Sequence, residues 1–371
     1  MDTNQIYDIV NDVAKQVMGE EAIDVIDTGS LVALGDSILS SQTNTEAFLS
    51  TLVQRIGLTI ISYRPYTSQL SLLEVGDMEF GQIMQKTKVK MSEAIEDDTW
   101  NLVDGQSLDM YIVAKPESTQ KLFVKRTPFA FMRTFQTKPL KEAFTDANTM
   151  GSFISAIYGE VINSIELSQE NLGRLTMANY MANAKTNQVV NLVTEYNAIQ
   201  TQGTVTADTA MLDNAFLRWA LGRIKNVAIK MQTMSTLYND GTEQRHTPLN
   251  MQRLVSLVDF QTALETQVEY AAFHEQYVKL ASNILVPYWQ AAKSPFDIEL
   301  QVGEGESATE KTLENIVCFI HDRDALGTYR KEEEVLTTPV NARGRYYNTW
   351  WHLDNLYFND TSENGVIFTL N

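Results

Sequence analysis

The chain has one cysteine, Cys318, in 371 residues. That excludes a disulfide framework and a zinc site built from several thiolates. Histidine is nearly as scarce: His246, His274, His321 and His352 lie far apart, and none forms a His-Glu-x-x-His pattern or sits beside a second His at helical spacing. No apolar run approaches the ~20 residues of a membrane-spanning helix, so no membrane partner is expected. The opening residues, Met1 to Ile6, lack the basic and apolar blocks of a signal peptide. Cations are outnumbered, with 29 Lys and Arg against 47 Asp and Glu, a net charge of −18 at pH 7. Such a chain does not hold nucleic acid through its overall field, because that binding rests on cations neutralising phosphates. What is present is 44% hydrophobic and 20% charged residues, enough for a sizeable core. The expectation is a soluble protein of one large domain or two to three lobes, kept in a reducing compartment.

The acidity sits at the two ends. Residues 1–62 hold nine acids against Lys15 and Arg55, residues 301–371 hold twelve against six bases, and 127–185 balance at five against five. Ile6, Ile9, Val10, Val13 and Val17 recur at helical spacing, with Asp2 or Thr3 as N-cap and Gly19 as stop. Asp27 to Ser30 reads as a looser segment that separates this helix from the rest, so the helix is expected to dock on a neighbour or an inner wall. A second helical pattern runs from Thr45 to Gly57, and Leu58 to Ile61 is a β-type run.

Lys86 to Met91 and Lys121 to Arg126 alternate, with Asp97-Asp98, Asp104-Gly105 and Lys115-Pro116 between them. This predicts a long two-stranded arm with a polar tip. An isolated hairpin is barely stable in water, so the arm should lie on something else. From Met150 through Phe153, Ile154, Ile157, Val161 and Ile165 to Leu172 an apolar stripe persists. It fits one helix from about 147 to Lys185, or two helices broken at Gly159 or Gly173. Further on, Ala210 to Leu221 and Ala263 to Leu280 read as helices. Thr247-Pro248 reads as an N-cap and first helical residue. Leu254 to Val258 fits strand or helix, and Val302 to Thr309 reads as a loop. Ile316 to Ile320 is a buried-type strand. After a turn at Asn341 to Gly344, aromatics crowd both alternating faces from Tyr346 to Phe358, which predicts a strand covered on both sides. Trp351 shares a face with Tyr347, Thr349 and Leu353, and that face is the expected partner of the long helix.

Residues that carry chemistry do not assemble into a motif. His321 with Asp322 and Asp324 reads as a solvated turn rather than a metal site, lacking the spacing and glycine of a calcium loop. Gly303-Glu304-Gly305-Glu306 has no Lys-Ser/Thr to complete a phosphate loop, and its acids repel phosphate. Ser37 and Ser40 lack a nucleophile elbow. Cys318 reads as an inert core thiol, and Glu332 to Glu334 as a solvated face. Mixed charges on the arm suit ion pairing with protein better than a nucleic-acid stripe. No catalytic, cofactor-binding or metal residue is expected, and no cofactor.

The order of three segments resembles the major capsid proteins of small short-tailed bacteriophages, the picovirus group. The first is Ile38 to Leu58, with its Phe48, Leu52-Val53, Arg55-Ile56-Gly57-Leu58 run. The second is Leu140-Lys141-Glu142-Ala143-Phe144 to Tyr158, and the third is Asn341-Ala342-Arg343-Gly344-Arg345-Tyr346-Tyr347-Asn348 with Gly365-Val366-Ile367-Phe368. Residues 186–300 match weakly. The resemblance implies an α+β HK97-like phage capsid fold: an N-terminal arm (1–62), an extended E-loop (63–126), a P-domain with a spine helix (127–185), an A-domain (186–315) and completion of the P-domain sheet (316–371). It favours the strand reading at Leu254 to Val258. It implies a non-enzymatic shell protein of the virion, made in the bacterial host cytoplasm and assembling as hexamers and pentamers. A separate scaffolding protein, a portal protein at one vertex, and packaged double-stranded DNA held without specific binding would be its partners. The alternatives are another virion structural protein, such as a portal or tail component, or a hydrolase with its site in 186–300.

Overall fold

A computed structural model describes the chain except residues 1–2, 20–21, 42, 45–46, 49–50, 53–67, 69, 71–72, 78–82, 93, 95, 97–102, 108–110, 112, 125, 137–146, 201–202, 268–282, 290–293 and 303–308; at 3–6, 77, 127, 136, 147–160, 267, 283, 302 and 330–333 the backbone alone is described. Helix α1 spans Thr3–Met18 and stops at Gly19, whose φ of +75° suits glycine. Helix α2 spans Thr28–Leu39. The expected loose segment at Asp27 to Ser30 is instead its start: Asp27 accepts from the Ser30 backbone N–H at 2.7 Å, and the Ser30 hydroxyl answers the Asp27 N–H at 3.0 Å. This reciprocal cap satisfies the free N–H groups that begin a helix. Residues 43–44, 47–48 and 51–52 are helical, with Phe48 and Leu52 buried. The rest of the Thr45 to Gly57 helix and the Leu58 to Ile61 run lie outside the described residues.

Strand β1 is Glu74–Asp77, β2 is Met84–Val89, β3 is Ser118–Phe123 and β4 is Arg126–Gln136. Helix α3 runs unbroken over Ala147–Ala182, 36 residues, so the single-helix reading holds. At ~1.5 Å per residue it is a rod of about 54 Å. Gly173 does not break it; a Cβ there would lie 3.3 Å from Leu70 Cδ1, so the glycine admits a close approach of the segment before β1. Then follow β5 (Val189–Asn191), α4 (Leu192–Ile199), a single turn at Ala207–Ala210, α5 (Asn214–Lys230), β6 (Gln252–Leu257) and α6 (Val258–Gln267). The helix expected from Ala210 starts later because Asp213 caps it, accepting from Phe216 N–H at 2.8 Å. Thr247 caps no helix: it is buried and its hydroxyl donates to the Asp322 carboxylate at 2.6 Å. Leu254 to Leu257 is strand. Of the helix expected from Ala263 to Leu280, the part to Gln267 is helical and 268–280 lie outside the described residues.

The remaining strands are β7 (Asn283–Val286), β8 (Ile298–Val302), β9 (Thr309–Leu313), β10 (Ile316–Asp322), β11 (Leu326–Thr337), β12 (Tyr346–Asn359) and β13 (Gly365–Thr369). They form a four-stranded sheet β1-β11-β12-β4, a five-stranded sheet β5-β13-β10-β6-β7 and two separate hairpins, β2-β3 and β8-β9. The end of the chain is therefore divided between the sheets. β11 and β12 belong to the first, β10 and β13 to the second.

Each sheet has its own core. On the first, Tyr347, Trp351 and Leu353 of β12 and Phe135 of β4 pack with Val161, Ile162 and Ile165 of α3. The helix-facing Trp351 is thus found as expected, 2% exposed. The same core contains Val10, Val13 and Ala14 of α1, none of them exposed, and Leu31, Leu34 and Ile38 of α2. Helix α1 accordingly docks on its own chain rather than on a neighbour. Asn11 fixes it there, donating to the Val25 carbonyl at 3.0 Å and accepting from the Val25 N–H at 2.6 Å. The second core surrounds β10 and β13, every residue of which is buried, and takes in Met177, Ala178, Tyr180 and Met181 from the far end of α3. One helix thereby joins both cores.

Candidate functional site

The base of the arm is where sequence pattern and tertiary placement meet. In the β2-β3 hairpin Lys86 lies directly opposite Lys121, and Lys88 opposite Thr119. Paired residues share a face, so three lysines project from one side. That side meets the turn between β12 and β13. Lys121 Nζ is 2.7 Å from Asp360 Oδ1, Lys88 Nζ 2.9 Å from Oδ2, and Lys86 Nζ 3.3 Å from Oδ2. Glu363 takes Lys88 at 2.9 Å and Lys86 at 3.4 Å. Ser362 accepts from Lys121 at 3.1 Å and donates to Asp360 at 2.6 Å, while Thr119 donates to Glu243 at 3.1 Å. Two aromatic contacts continue the seam: Phe123 against Phe358 with centroids 5.5 Å apart, and Lys86 over the Phe358 ring at 5.8 Å. Burial alone would raise the Asp360 carboxyl. The hydrogen bonds from Lys121, Ser362 and Lys88 and the Lys86 charge outweigh it and hold the group well below the ordinary carboxylate value. The expected ion pairing of the arm is therefore found, but at its base it is made within the chain. Beyond that base Lys90 pairs with Glu117 at 3.0 Å, and Val103, Tyr111 and Val113 are exposed.

Above this seam a polar cluster ties α3 to the β5-β13 edge of the second sheet. Tyr180 donates to the Glu363 carbonyl at 3.0 Å, and Gln188 reaches Tyr180 Oη at 3.2 Å and the Gly365 carbonyl at 3.3 Å. Burial keeps the Tyr180 hydroxyl neutral, far above its usual value. His321 is fully buried in β10, stacked on Phe319 at 5.0 Å, and Asp322 is also buried. Both contradict the solvated-turn reading, which holds only for the exposed Arg323 and Asp324. The reason is that β10 is central in its sheet and runs to Asp322, so the turn starts two residues later, at Arg323. Burial pushes the His321 imidazole down to about 4 and the Asp322 carboxyl up. Cys318 is buried, and burial raises its thiol, as an inert core position requires.

An open cleft of about 690 Å³ lies between the arm and the 234–251 segment. Met91, Met234 and Met251 line it together with Lys90, Arg245, His246, Asp322 and Asp324. The Asp322 carboxylate in it is occupied by Thr247 and by the Asp324 N–H. Among the described residues no three His, Cys, Asp or Glu side chains come together as a metal site, and no helix is long and apolar enough to cross a membrane. His274 and the Gly303 to Glu306 turn lie outside the described residues, as do the side chains of Glu332 and Glu333; Glu334 is exposed.

The outer face of the four-stranded sheet is the other conspicuous surface. Trp350 lies between Met132 of β4 and Leu336 of β11, and His352 between Ala130 and Glu334. Met132 is 50% and Leu336 45% exposed, Trp350 is half-buried, and its ring stacks on His352 at 6.1 Å. The expectation that β12 is covered on both sides is corrected: along Tyr346 to Leu353 only the face toward α3 is buried. β4, which supplies Met132 and Ala130 to this surface, was not anticipated as a strand. The alternation of Phe129, Phe131 and Phe135 was the signal for it.

A two-sheet α+β body with a long helix joining both cores and a separate hairpin docked on it is the architecture of a phage capsid subunit. In the capsid structure of Staphylococcus phage Andhra one chain superposes with a TM-score of 0.54 at 12% identity, over 81% of this chain and 83% of that one. This likeness shows the HK97-like fold. The chain belongs to the Phi29-like phage major capsid protein family, whose profile matches residues 8–369. The major capsid protein of Bacillus phage B103 is 20% identical over 366 residues, 98% of this chain and 72% of the relative. That of Bacillus phage GA-1 is 27% identical over 180 residues, 47% of this chain and 37% of the relative. The alignment with the GA-1 protein thus spans just over a third of its length.

Proposed function

We propose that the chain is the major capsid protein of a short-tailed phage and assembles, as hexamers and pentamers, into the icosahedral shell around the double-stranded DNA genome. The observation that carries this reading is the family match across 8–369, with a fold to suit it. The arm supports it: its base is anchored within the chain, while beyond that base Val103, Tyr111 and residues 113–116 are exposed, a surface suited to contacts with other subunits. Heterologous contacts of this kind close into a shell only when their angles close. This reading divides the chain into an N-terminal arm (1–62), an E-loop (63–126), a P-domain with the spine helix (127–185), an A-domain (186–315) and completion of the P-domain sheet (316–371). The pairing of β10 and β13 with β5 and β6 supports drawing those two strands into the A-domain instead.

A separate scaffolding protein and a portal protein at one vertex complete the proposed assembly, and the chain is made in the host cytoplasm. Its role is structural rather than enzymatic. The net charge of −18 suits a wall that does not hold DNA fast. Size-exclusion chromatography and negative-stain microscopy of the purified chain, with and without scaffold, test this; closed shells are expected, and rings or tubes would overturn it. Deleting 97–115 should leave a folded subunit that forms no stable shells.

A further inference from the structure

The β2-β3 hairpin contains a conflict that it does not resolve by itself. Lys86 and Lys121 are directly opposed, and like charges at that position destabilise a strand pair. The hairpin is a separate two-stranded sheet with no ladder to either larger sheet, and Lys88 is the only residue of its two strands that is buried. A two-stranded hairpin with no covered apolar face is marginal in water. The side chain that lies between the opposed lysines is Asp360, fully buried and 274 residues from Lys86. Its two oxygens are divided between the strands, Oδ1 taking Lys121 of β3 and Oδ2 taking Lys86 and Lys88 of β2.

We propose that Asp360 is the positioning residue of the arm: the arm base pairs and takes its direction only when it docks on the β12-β13 turn, because Asp360 supplies the charge that lets Lys86 and Lys121 face each other. The turn that holds Asp360 is formed by the body, between β12 and β13. Ser362 and Glu363 support the node, and Glu243 holds Thr119 beside it. This rests on the capsid reading only for its consequence in assembly; the docking itself is a property of the single subunit.

The test uses the full chain as a free subunit. Limited proteolysis within 84–123 should be at least tenfold faster in Asp360→Asn than in wild type, at a temperature where both bodies are folded by circular dichroism. Combining Asp360→Asn with Lys121→Met removes the repulsion and should restore most of the protection. A role of Asp360 confined to its own turn would not be rescued by removing a lysine from the arm. Unchanged cleavage in Asp360→Asn, or no recovery in the double variant, overturns the proposal. Shell yield, measured separately with scaffold, should fall and recover in parallel. If wild type itself forms no shells while the proteolysis pattern holds, the capsid reading fails and the positioning role stands.

Discussion

β10 and β12 are both apolar strands near the end of the chain, each central in its sheet, yet they are covered differently. All seven residues of β10 are buried, while β12 from Tyr347 to Leu353 is buried at every second residue. β10 reads as a continuous apolar run because both its faces meet packed elements. β12 has aromatics on both faces, but α3 and α1 cover only the one that carries Trp351. A large side chain facing outward on a strand is thus no evidence that its own chain covers it.

The contrast is broken most sharply at Trp351. Replacing it with Ala should cost about 3–5 kcal/mol, the usual loss for a buried aromatic, which rivals the stability of a typical domain. Insoluble or severely destabilised subunits are expected, read as soluble yield and urea midpoint. The second core is challenged by acid. The folded His321 imidazole is held down to about 4 against an ordinary 6.5, so the unfolded chain binds the proton more readily. Its contribution to stability is full above pH 6.5 and is lost as pH falls toward 4, by about 3 kcal/mol at roughly 1.4 kcal/mol per pH unit. Urea titrations across that range should show a shallower pH dependence in His321→Gln than in wild type; parallel curves would remove the argument. Asp322, raised by burial, works in the opposite sense in both proteins and cancels in the difference.

Gly365→Ala tests how tightly the same core closes on α3. A Cβ there would stand 2.5 Å from Tyr180 Oη, and overpacking of this kind costs about 1–3 kcal/mol. A drop in Tm is expected, and Tyr180→Phe does not relieve it, because the ring atoms Cε1 and Cζ, 2.8 and 2.9 Å from the new methyl, remain. The smallest effect belongs to Trp350→Ala. On a half-exposed face it should change subunit stability by no more than about 1 kcal/mol. Equal melting temperatures for the Trp350 and Trp351 variants would erase the difference between the two faces.

Much of this was legible along the chain. The stripe of α3, the run of β10, the Asn341 to Gly344 turn and the alternation of β2 and β3 each depend on residues within a few positions of one another. So did the face of Trp351, since side chains alternate in any strand. The candidate site was legible in one half only: the lysines of the arm stood out, and Asp360 did not. Helix α2 was missed because Asp27, Gly29 and Ser30 serve equally well in a loop and in a cap. β4 was missed because its pattern is carried by phenylalanines interrupted by Pro128 and Arg133.

Local sequence, then, determined which segments are helix or strand and which of their faces are apolar, because those are set by periods of a few residues. The tertiary structure alone decided that α1 packs on its own chain, that β10 and β13 leave the sheet of β11 and β12, and that Asp360 stands between Lys86 and Lys121. Those choices depend on which faces and charges meet between segments tens to hundreds of residues apart. Burial and Coulomb energy select such partners in space, and no period in the sequence records the choice.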